Sequence, residues 1–199
     1  MKILAFTDIH GSITKLKKLQ QKVKKNKPDI ILCLGDFTLF EHHIDNILRK
    51  INTFKTPTYI IPGNHETASI LKKLCQKYKN LHFAHKKIIK IKQYTLVGFG
   101  GGGFSTTDKE FEKFIKANKK KITKKKIILI THGPPYKTKL DYIDYLKEYV
   151  GCKSYTTFIK KYKPILALSG HIHETFGKKD KTGQTEIINP GANGMIIKI

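Results

Sequence analysis

Arginine is nearly absent from this chain, although the chain is strongly basic. Arg49 is its one arginine, so lysine accounts for 38 of the 39 basic residues, and only 15 residues are acidic. A formal net charge of +24 favours contact with nucleic-acid phosphates. Phosphate and base recognition, however, favours the bidentate arginine fork. We therefore interpret the lysine excess, including the eight lysines of residues 113–126, as a solvated surface, and we keep nucleic-acid binding as an alternative.

Cysteine and long apolar runs are also scarce. The three cysteines, Cys33, Cys75 and Cys152, are odd in number and form no Cys-x-x-Cys pair, which fits reduced thiols in a cytoplasm. No apolar run approaches the roughly 18 to 20 residues that a membrane span needs. The N-terminus shows no signal-peptide pattern. We expect a cytoplasmic protein with no membrane partner.

The length and the order of the elements predict the fold class. The 199 residues, 39% of them apolar, suffice for one sizeable core, so we expect one domain over residues 1–199. Strand and helix patterns alternate and then give way to an antiparallel meander over residues 81–99. Helices are predicted over residues 12–25, 41–52, 67–79, 108–120 and, in two pieces, 138–162. This order predicts two packed sheets with helices outside.

Two histidines, His171 and His173, follow the apolar run of residues 164–168. Residues i and i+2 of a strand point to the same side, so both imidazoles should leave the strand end in one direction. Four other apolar runs end in the same kinds of residue, namely Asp8 with His10, Asp36, Asn64 with His65, and His132. Ligands of open α/β sheets bind beyond the carboxyl ends of the strands, which is where all five endings lie.

These endings supply nitrogen and oxygen ligands without a thiolate. Such a set suits Mn²⁺, Fe, Zn²⁺ or Co²⁺ better than a soft metal or Ca²⁺. Seven ligands are too many for one such ion but suit two ions that share a bridging carboxylate. The predicted ligands are Asp8, His10, Asp36, Asn64, His132, His171 and His173.

Two other patterns have simpler interpretations. Residues 98–103 contain Gly-x-Gly-x-x-Gly, but no acidic residue follows about 20 positions later, so we expect a loop that overhangs the site rather than a dinucleotide site. His42 and His43 are adjacent, and adjacent residues of a helix do not face each other. We therefore place both histidines on the surface.

Five ordered motifs resemble those of the calcineurin-like metallophosphoesterases and span residues 8–173. They are Asp8-Ile9-His10, Gly35-Asp36, Gly63-Asn64-His65-Glu66, Thr131-His132-Gly133 and Gly170-His171-Ile172-His173. The variants resemble the small single-domain archaeal and bacterial phosphoesterases, and also the metallophosphoesterase-domain phosphodiesterases of animals. The resemblance implies a four-layer α/β/β/α sandwich in which two mixed β-sheets are flanked by helices.

The resemblance also implies the roles of the site residues. Two divalent metal ions would be bound, with Mn²⁺ preferred and Fe, Zn²⁺, Ni²⁺ or Co²⁺ as alternatives. One ion would be held by Asp8, His10, Asp36 and His173. The other would be held by Asp36, Asn64, His132 and His171. Asp36 would bridge the two ions, and His65 would act as the general acid toward the leaving group.

One part of the family pattern is missing. Many members continue Gly-Asp-x-x-Asp-Arg, whereas Leu39 and Phe40 occupy the last two of these positions here. His65 therefore lacks its usual orienting carboxylate, and a dianionic phosphomonoester lacks its usual arginine clamp.

Metal-dependent hydrolysis of a small phosphoester is the predicted function. A hydroxide that bridges the two ions would attack phosphorus, and phosphodiesters should be preferred over phosphomonoesters. A nuclease that acts on DNA or RNA is one alternative. A non-catalytic metal- or nucleic-acid-binding module is another, although the complete ligand set argues against it.

Overall fold

Two mixed β-sheets form the centre of the structure, a computed structural model that describes residues 1–103, 105–122 and 126–199. The first sheet contains, in spatial order, β13 (Met195–Lys198), β1 (Lys2–Phe6), β2 (Ile30–Cys33), β3 (Thr58–Ile60) and β4 (Leu81–Phe83). β13 is antiparallel to β1, and the other neighbouring pairs are parallel. The carboxyl ends of β1, β2 and β3 therefore lie at one edge.

The second sheet is also mixed. It contains, in spatial order, β11 (Lys179–Thr182), β12 (Thr185–Ile188), β10 (Leu166–Leu168), β7 (Ile127–Thr131), β6 (Tyr94–Phe99) and β5 (Lys87–Ile91). The four central strands are parallel, whereas β11 and β5 are antiparallel to their neighbours. A separate ribbon pairs β8 (Tyr142–Ile143) with β9 (Glu148–Tyr149).

Helices cover the outer face of each sheet. The α-helices of the described residues are α1 (Ile13–Asn26), α2 (Ile44–Asn52), α3 (Ala68–Cys75), α4 (Lys109–Ala117) and α5 (Lys153–Tyr162). Side chains of α1, α2 and α3 pack on the first sheet, and those of α4 and α5 pack on the second. A third core lies between the sheets. The predicted α/β/β/α sandwich is thereby confirmed.

Strand β1 contributes to two cores at once. Leu4 and Phe6 pack toward the helices, while Ile3 and Ala5 pack toward the second sheet. This alternation follows from the two-residue period of a strand. All four side chains are fully buried, and a large aliphatic or aromatic side chain stabilises the fold by about 1.5–3 kcal/mol when it is buried.

Helix α1 forms where the sequence predicts it. The Ser12 hydroxyl accepts a hydrogen bond from the Lys15 amide at 3.4 Å, as an N-cap does. Leu16, Leu19 and Val23 are buried at helical spacing. The helix ends at Asn26, and the left-handed conformation of Lys27 closes the last turn.

The predicted antiparallel meander is wrong, although its three strands lie at the predicted positions. β4 pairs in parallel with β3, and only β5 and β6 form an antiparallel hairpin. Residues 84–86 therefore carry the chain from the first sheet to the second. Local periodicity cannot reveal this crossover, because β4 pairs with β3, from which helix α3 separates it in sequence.

The predicted helix before Gly151 is also wrong, because β8 and β9 occupy that segment. The Asp141 carboxylate accepts hydrogen bonds from the backbone amides of Lys137, Thr138 and Gly151 at 3.0, 2.6 and 3.0 Å. A short carboxylate that bonds nearby amides competes with helix formation. Strand β11 follows the Gly-His-Ile-His motif and was not predicted.

Helix α2 begins three residues later than predicted. Phe40, Glu41 and His43 have φ angles of 47°, 63° and 54°, which belong to the left-handed region and interrupt a helix. Leu39 and Phe40 therefore lie in a turn beside the ends of the strands, where both are exposed.

The lysine cluster of residues 113–126 lies on the surface, as predicted, wherever the structure describes it. The exposed members are Lys113, Lys116, Lys119, Lys120, Lys121 and Lys126. Lys124 and Lys125 lie outside the described residues. Among the helices that the structure describes, none has the length and apolar character needed to cross a membrane.

Candidate metal centre

The carboxyl ends of strands from both sheets meet at one edge of the sandwich. The first sheet contributes the residues after β1, β2 and β3, and the second contributes those after β7 and β10. All eight predicted site residues come together there: Asp8, His10, Asp36, Asn64, His65, His132, His171 and His173. The metal-binding and catalytic roles of these residues remain predictions.

A first group of ligand atoms belongs to Asp8, His10 and His173, all within 4.8 Å of one another. Nε2 of His173 lies 3.2 Å from Nε2 of His10 and 3.5 Å from Oδ1 of Asp8. These residues match three of the four that the resemblance assigns to one ion.

A second group belongs to Asp36, His132 and His171, again within 4.8 Å. Nε2 of His132 lies 3.3 Å from Oδ2 of Asp36 and 3.0 Å from Oδ1 of Asn64. Asp36 also belongs to a third group, with His10 and His65. One carboxylate therefore faces residues from both predicted ion sites.

The donor atoms of the centre fit a divalent cation. Among the described residues, none forms a hydrogen bond with Oδ1 of Asp8 or with Nδ1 of His10, although both atoms are buried. A buried carboxylate oxygen without a hydrogen bond is costly, and a cation would satisfy it. Nδ1 of His132 donates to the Leu34 carbonyl at 2.8 Å, so in the neutral ring Nε2 has a free lone pair that faces the centre. Metal-binding histidines are commonly oriented in this way.

Electrostatics keep the two aspartates ionised. Burial raises the pKa of Asp8, but its contact with His173 and the charge of His132 lower it below the ordinary value. Burial likewise raises the pKa of Asp36, and the stronger opposing effect comes from His132 and the His65 amide. Both carboxylates are therefore available to a cation at neutral pH.

The histidines fall into two classes. Burial and the charge of His132 lower the pKa of His171 to about 4, and burial lowers the pKa of His10. Burial lowers the pKa of His132 too, but Asp36 raises it by more. The neighbouring Asp8 carboxylate raises the pKa of His173. His132 and His173 therefore retain protons to a higher pH than His10 and His171.

The backbone of the centre is unusual. Asp8, His10, Asp36 and His171 have φ angles of 52°, 46°, 48° and 69°. Left-handed conformations are rare for residues with a side chain and concentrate at functional sites. They let each strand end turn sharply and direct its side chain toward the centre.

Two glycines allow the loops to approach the aspartates. A Cβ atom at Gly63 would lie 2.0 Å from Oδ1 of Asp36, and one at Gly170 would lie 2.4 Å from Oδ2 of Asp8. Neither position has room for a side chain.

Glu66 is a supporting residue to which the sequence analysis gave no role. Its carboxylate accepts hydrogen bonds from the amides of Asp36, Thr38 and Gly63 at 2.9, 2.8 and 2.9 Å, and from the Thr38 hydroxyl at 2.7 Å. It joins the loop of Asp36 to the loop of Asn64. The sequence signal that could have identified Glu66 is its position at the end of the Gly-Asn-His-Glu motif.

Phe40 contacts His65 through both its ring and its backbone amide. Its ring centre lies 4.2 Å from that of His65, and 70% of the residue is exposed. The backbone amide of Phe40 donates to Nδ1 of His65. His65 is therefore oriented by the main chain instead of a carboxylate.

A cavity of about 450 Å³ lies beside Gly133, next to His132. Its walls include Gly100, Gly101 and Gly102. The amide of Gly101 donates to the Pro62 carbonyl at 2.7 Å, so this glycine-rich segment lies against the loop that leads to Asn64.

Comparisons with known proteins agree with this geometry. Residues 1–175 match the calcineurin-like phosphoesterase family. The uncharacterized protein MJ1162 of Methanocaldococcus jannaschii is 31% identical over 209 residues, which cover 99% of this chain and 91% of that protein. A probable glycerophosphodiester phosphodiesterase, GpdQ, of Arcobacter nitrofigilis is 28% identical over 160 residues, 75% of this chain and 58% of that protein.

The fold is also similar to a solved structure. The protein TT1561 of Thermus thermophilus superposes with a TM-score of 0.77 and 18% identity, over 96% of this chain and 88% of that one. The family match includes all five motifs whose side chains meet at the sandwich edge. On this evidence the chain belongs to the calcineurin-like phosphoesterases, a family of phosphoric ester hydrolases.

Proposed function

We propose that this protein hydrolyses phosphodiesters, in preference to phosphomonoesters, with the help of two divalent ions. Asp8, His10, Asp36 and His173 would hold one ion, and Asp36, Asn64, His132 and His171 the other. Mn²⁺ is our first choice of ion. When bound, the ions would supply Lewis acidity toward water and toward phosphoryl oxygens.

The position of Asp36 is the observation that carries the two-ion proposal. Its carboxylate lies within 4.8 Å of ligand atoms from His132 and His171, and also of those from His10 and His65. A carboxylate in this position can serve two ions at once. Glu66 supports it, because its bond to the Asp36 amide fixes the backbone from which Asp36 projects.

His65 would contact the leaving group. Nε2 of His65 lies 3.8 Å from Oδ2 of Asp36, at the border of the centre. Because Nδ1 accepts from the Phe40 amide, the neutral ring carries its proton on Nε2 and can donate a hydrogen bond to a departing oxygen.

The surroundings of the centre support the diester preference. Leu39 is 48% exposed and Phe40 is 70% exposed, where the family pattern has an aspartate and an arginine. A monoester dianion needs cationic donors that these residues do not supply. A diester carries less charge and brings a second organic group that apolar side chains can contact. The GpdQ relative, a probable phosphodiesterase by name, supports the same choice.

The test compares two chromogenic substrates in one Mn²⁺ buffer. We expect kcat/KM for bis-nitrophenyl phosphate to exceed that for nitrophenyl phosphate. A higher value for the monoester would refute the diester preference. Absence of hydrolysis of either substrate with Mn²⁺, Zn²⁺, Fe²⁺, Co²⁺ or Ni²⁺ would refute the hydrolytic function itself.

A further inference from the structure

A second cavity shares His10 with the candidate metal centre. It has a volume of about 510 Å³ and lies between the start of α1 and one face of α2. We call it the α1–α2 groove and define it by His10, Ile13, Leu39, Ile47, Arg49 and Lys50, which all line it. Its volume lies in the range of roughly 300–1,000 Å³ that small ligands occupy.

The part of the groove nearest the centre is apolar. His10, a predicted ligand of the ions, forms one wall, and Ile13 and Leu39 are 43% and 48% exposed beside it. Ile47 forms the floor, where the absence of a side chain on Gly11 leaves space. An organic group attached to a phosphorus atom at the centre would meet these side chains.

The part of the groove along α2 is cationic. Asn46, Ile47, Arg49 and Lys50 all line the groove, and their spacing of three and four residues places them on one face of α2. Arg49, the single arginine of the chain, lines this face with Lys50. The Asn46 side chain accepts a hydrogen bond from Nη2 of Arg49 at 3.1 Å and holds the guanidinium there. His42 and His43, expected only on the surface, are exposed and line the groove as well.

The two acidic residues beside the groove, Glu41 and Asp45, contact residues that do not line it. Oε1 of Glu41 accepts from the Thr67 amide at 2.6 Å. Oδ1 of Asp45 lies 3.4 Å from Nζ of Lys77 and accepts from the Tyr78 hydroxyl at 3.1 Å. Within the described part of the chain, no carboxylate lines the groove. The lining of the groove therefore carries the positive charges of Arg49 and Lys50 without a carboxylate among them.

The cavity beside Gly133 has a different charge balance. Lys86 and Lys109 line it together with Asp108 and Glu110, so the formal charges of these four side chains cancel. Nζ of Lys86 also lies 3.4 Å from Oε2 of Glu110. An anionic group would gain more from the α1–α2 groove than from this cavity.

We propose that the α1–α2 groove binds the organic arm of the phosphodiester substrate and that this arm ends in a second anionic group, such as a terminal phosphate. The apolar wall contacts the arm, and Arg49 and Lys50 bind the terminal anion through charge-assisted hydrogen bonds. This inference rests on the proposed phosphodiesterase function and adds a substrate class to it.

The test uses a matched pair of nitrophenyl esters. Thymidine 5′-nitrophenyl phosphate has one phosphate, and its 3′-phosphorylated form has the same scissile bond and leaving group plus a terminal phosphate. We expect the second substrate to have a kcat/KM at least about tenfold higher at low salt, as a hydrogen bond to a charged group allows. In Arg49→Gln the ratio of the two kcat/KM values should approach one. Lys109→Gln, in the cavity beside Gly133, is the control and should keep the ratio.

Binding without turnover provides a second measurement. Calorimetry of wild-type protein should show tighter binding of thymidine 3′,5′-bisphosphate than of thymidine 5′-phosphate, with a difference that salt and Arg49→Gln both reduce. Equal affinities overturn the inference, even if no substrate is hydrolysed. Loss of the ratio in Lys109→Gln instead of Arg49→Gln also overturns it. Hydrolysis of bis-nitrophenyl phosphate reports separately on the proposed function.

Discussion

The backbone amide of Phe40 donates a hydrogen bond to Nδ1 of His65 at a distance of 3.2 Å. An N–H group can only donate, so Nδ1 must accept, and the neutral imidazole carries its proton on Nε2. A carboxylate at position 39 would require the opposite arrangement, with the proton on Nδ1. The bond from the Phe40 amide thus sets which nitrogen of His65 carries the proton as well as how the ring is oriented.

Substitutions of His65 test this arrangement. His65→Ala should lower kcat by about 10² to 10³, the usual loss when one preorganised donor is removed. His65→Gln should retain part of the activity, because its side-chain amide can donate a hydrogen bond but cannot act as a proton-transferring acid at neutral pH. The loss in both variants should be smaller for a nitrophenyl leaving group than for an alkyl one.

Metal content is the control for these variants, since His65 is not among the predicted ligands. Equal activities of His65→Gln and His65→Ala on an alkyl ester would favour proton transfer over hydrogen-bond donation.

Asp36→Asn should weaken both metal sites, because the carboxylate of Asp36 lies within reach of both groups of ligand atoms. Asn64→Ala should weaken mainly the site that contains His132, whose Nε2 lies 3.0 Å from Oδ1 of Asn64. Metal analysis after gel filtration measures the number of ions per chain. One ion per chain in fully active wild-type protein would contradict the two-ion proposal.

Metal affinity should rise with pH between about 6 and 8. Asp36 and Asp8 raise the pKa values of His132 and His173, so these imidazoles hold protons at the lower end of this range. A metal ion binds only the neutral ring and must displace the protons that remain. His171, with a pKa of about 4, is already neutral and should contribute nothing.

Calorimetry in two buffers of different ionisation enthalpy measures both the affinity and the protons released. The same affinity and no proton release at both ends of the range would show that the two histidines do not bind the ions.

Phe40→Arg should increase activity on phosphomonoesters. The new guanidinium would occupy the position where the family pattern has its arginine, beside His65, and could bind a terminal phosphoryl oxygen in a bidentate manner. We expect kcat/KM for nitrophenyl phosphate to rise about tenfold, as one charge-assisted interaction allows. Phe40→Lys is the matched control and should gain less, because lysine lacks the planar fork. An equal gain in both variants would indicate a general effect of charge.

The positions of the site residues could be predicted because the parallel strands bring their carboxyl ends to one edge. The expected i, i+2 geometry of a strand does not hold for His171 and His173, because β10 ends at Leu168 and His171 has a left-handed φ of 69°. Strand β4 could not be placed in this way, because its partner is chosen by long-range packing. The loop from Thr138 to Gly151 was misjudged because Asp141 bonds the backbone amides that a helix would use.

The contacts of the turn at residues 39–43 were equally inaccessible to sequence analysis. Phe40 has a left-handed φ of 47° in this turn, and its backbone amide donates to Nδ1 of His65. Neither the angle nor the hydrogen bond can be predicted from the residue type. Arg49 is exposed on α2, and its residue type does not reveal that this face of the helix borders a groove shared with His10 and Leu39.

The site is assembled from both sheets, and this has a mechanical consequence. Asp8, Asp36 and Asn64 follow strands of one sheet, whereas His132, His171 and His173 follow strands of the other. Hydrogen bonds such as His132 to the Leu34 carbonyl and the His171 amide to Oδ2 of Asp8 already cross between them. Ions bound by both sets would act as crosslinks that resist separation of the two layers, and metal concentration would set how often the sandwich opens at this edge. Amide hydrogen exchange at the ends of β1 and β10 would then slow as metal is added, while exchange in α4, which is remote from the crosslink, would change least.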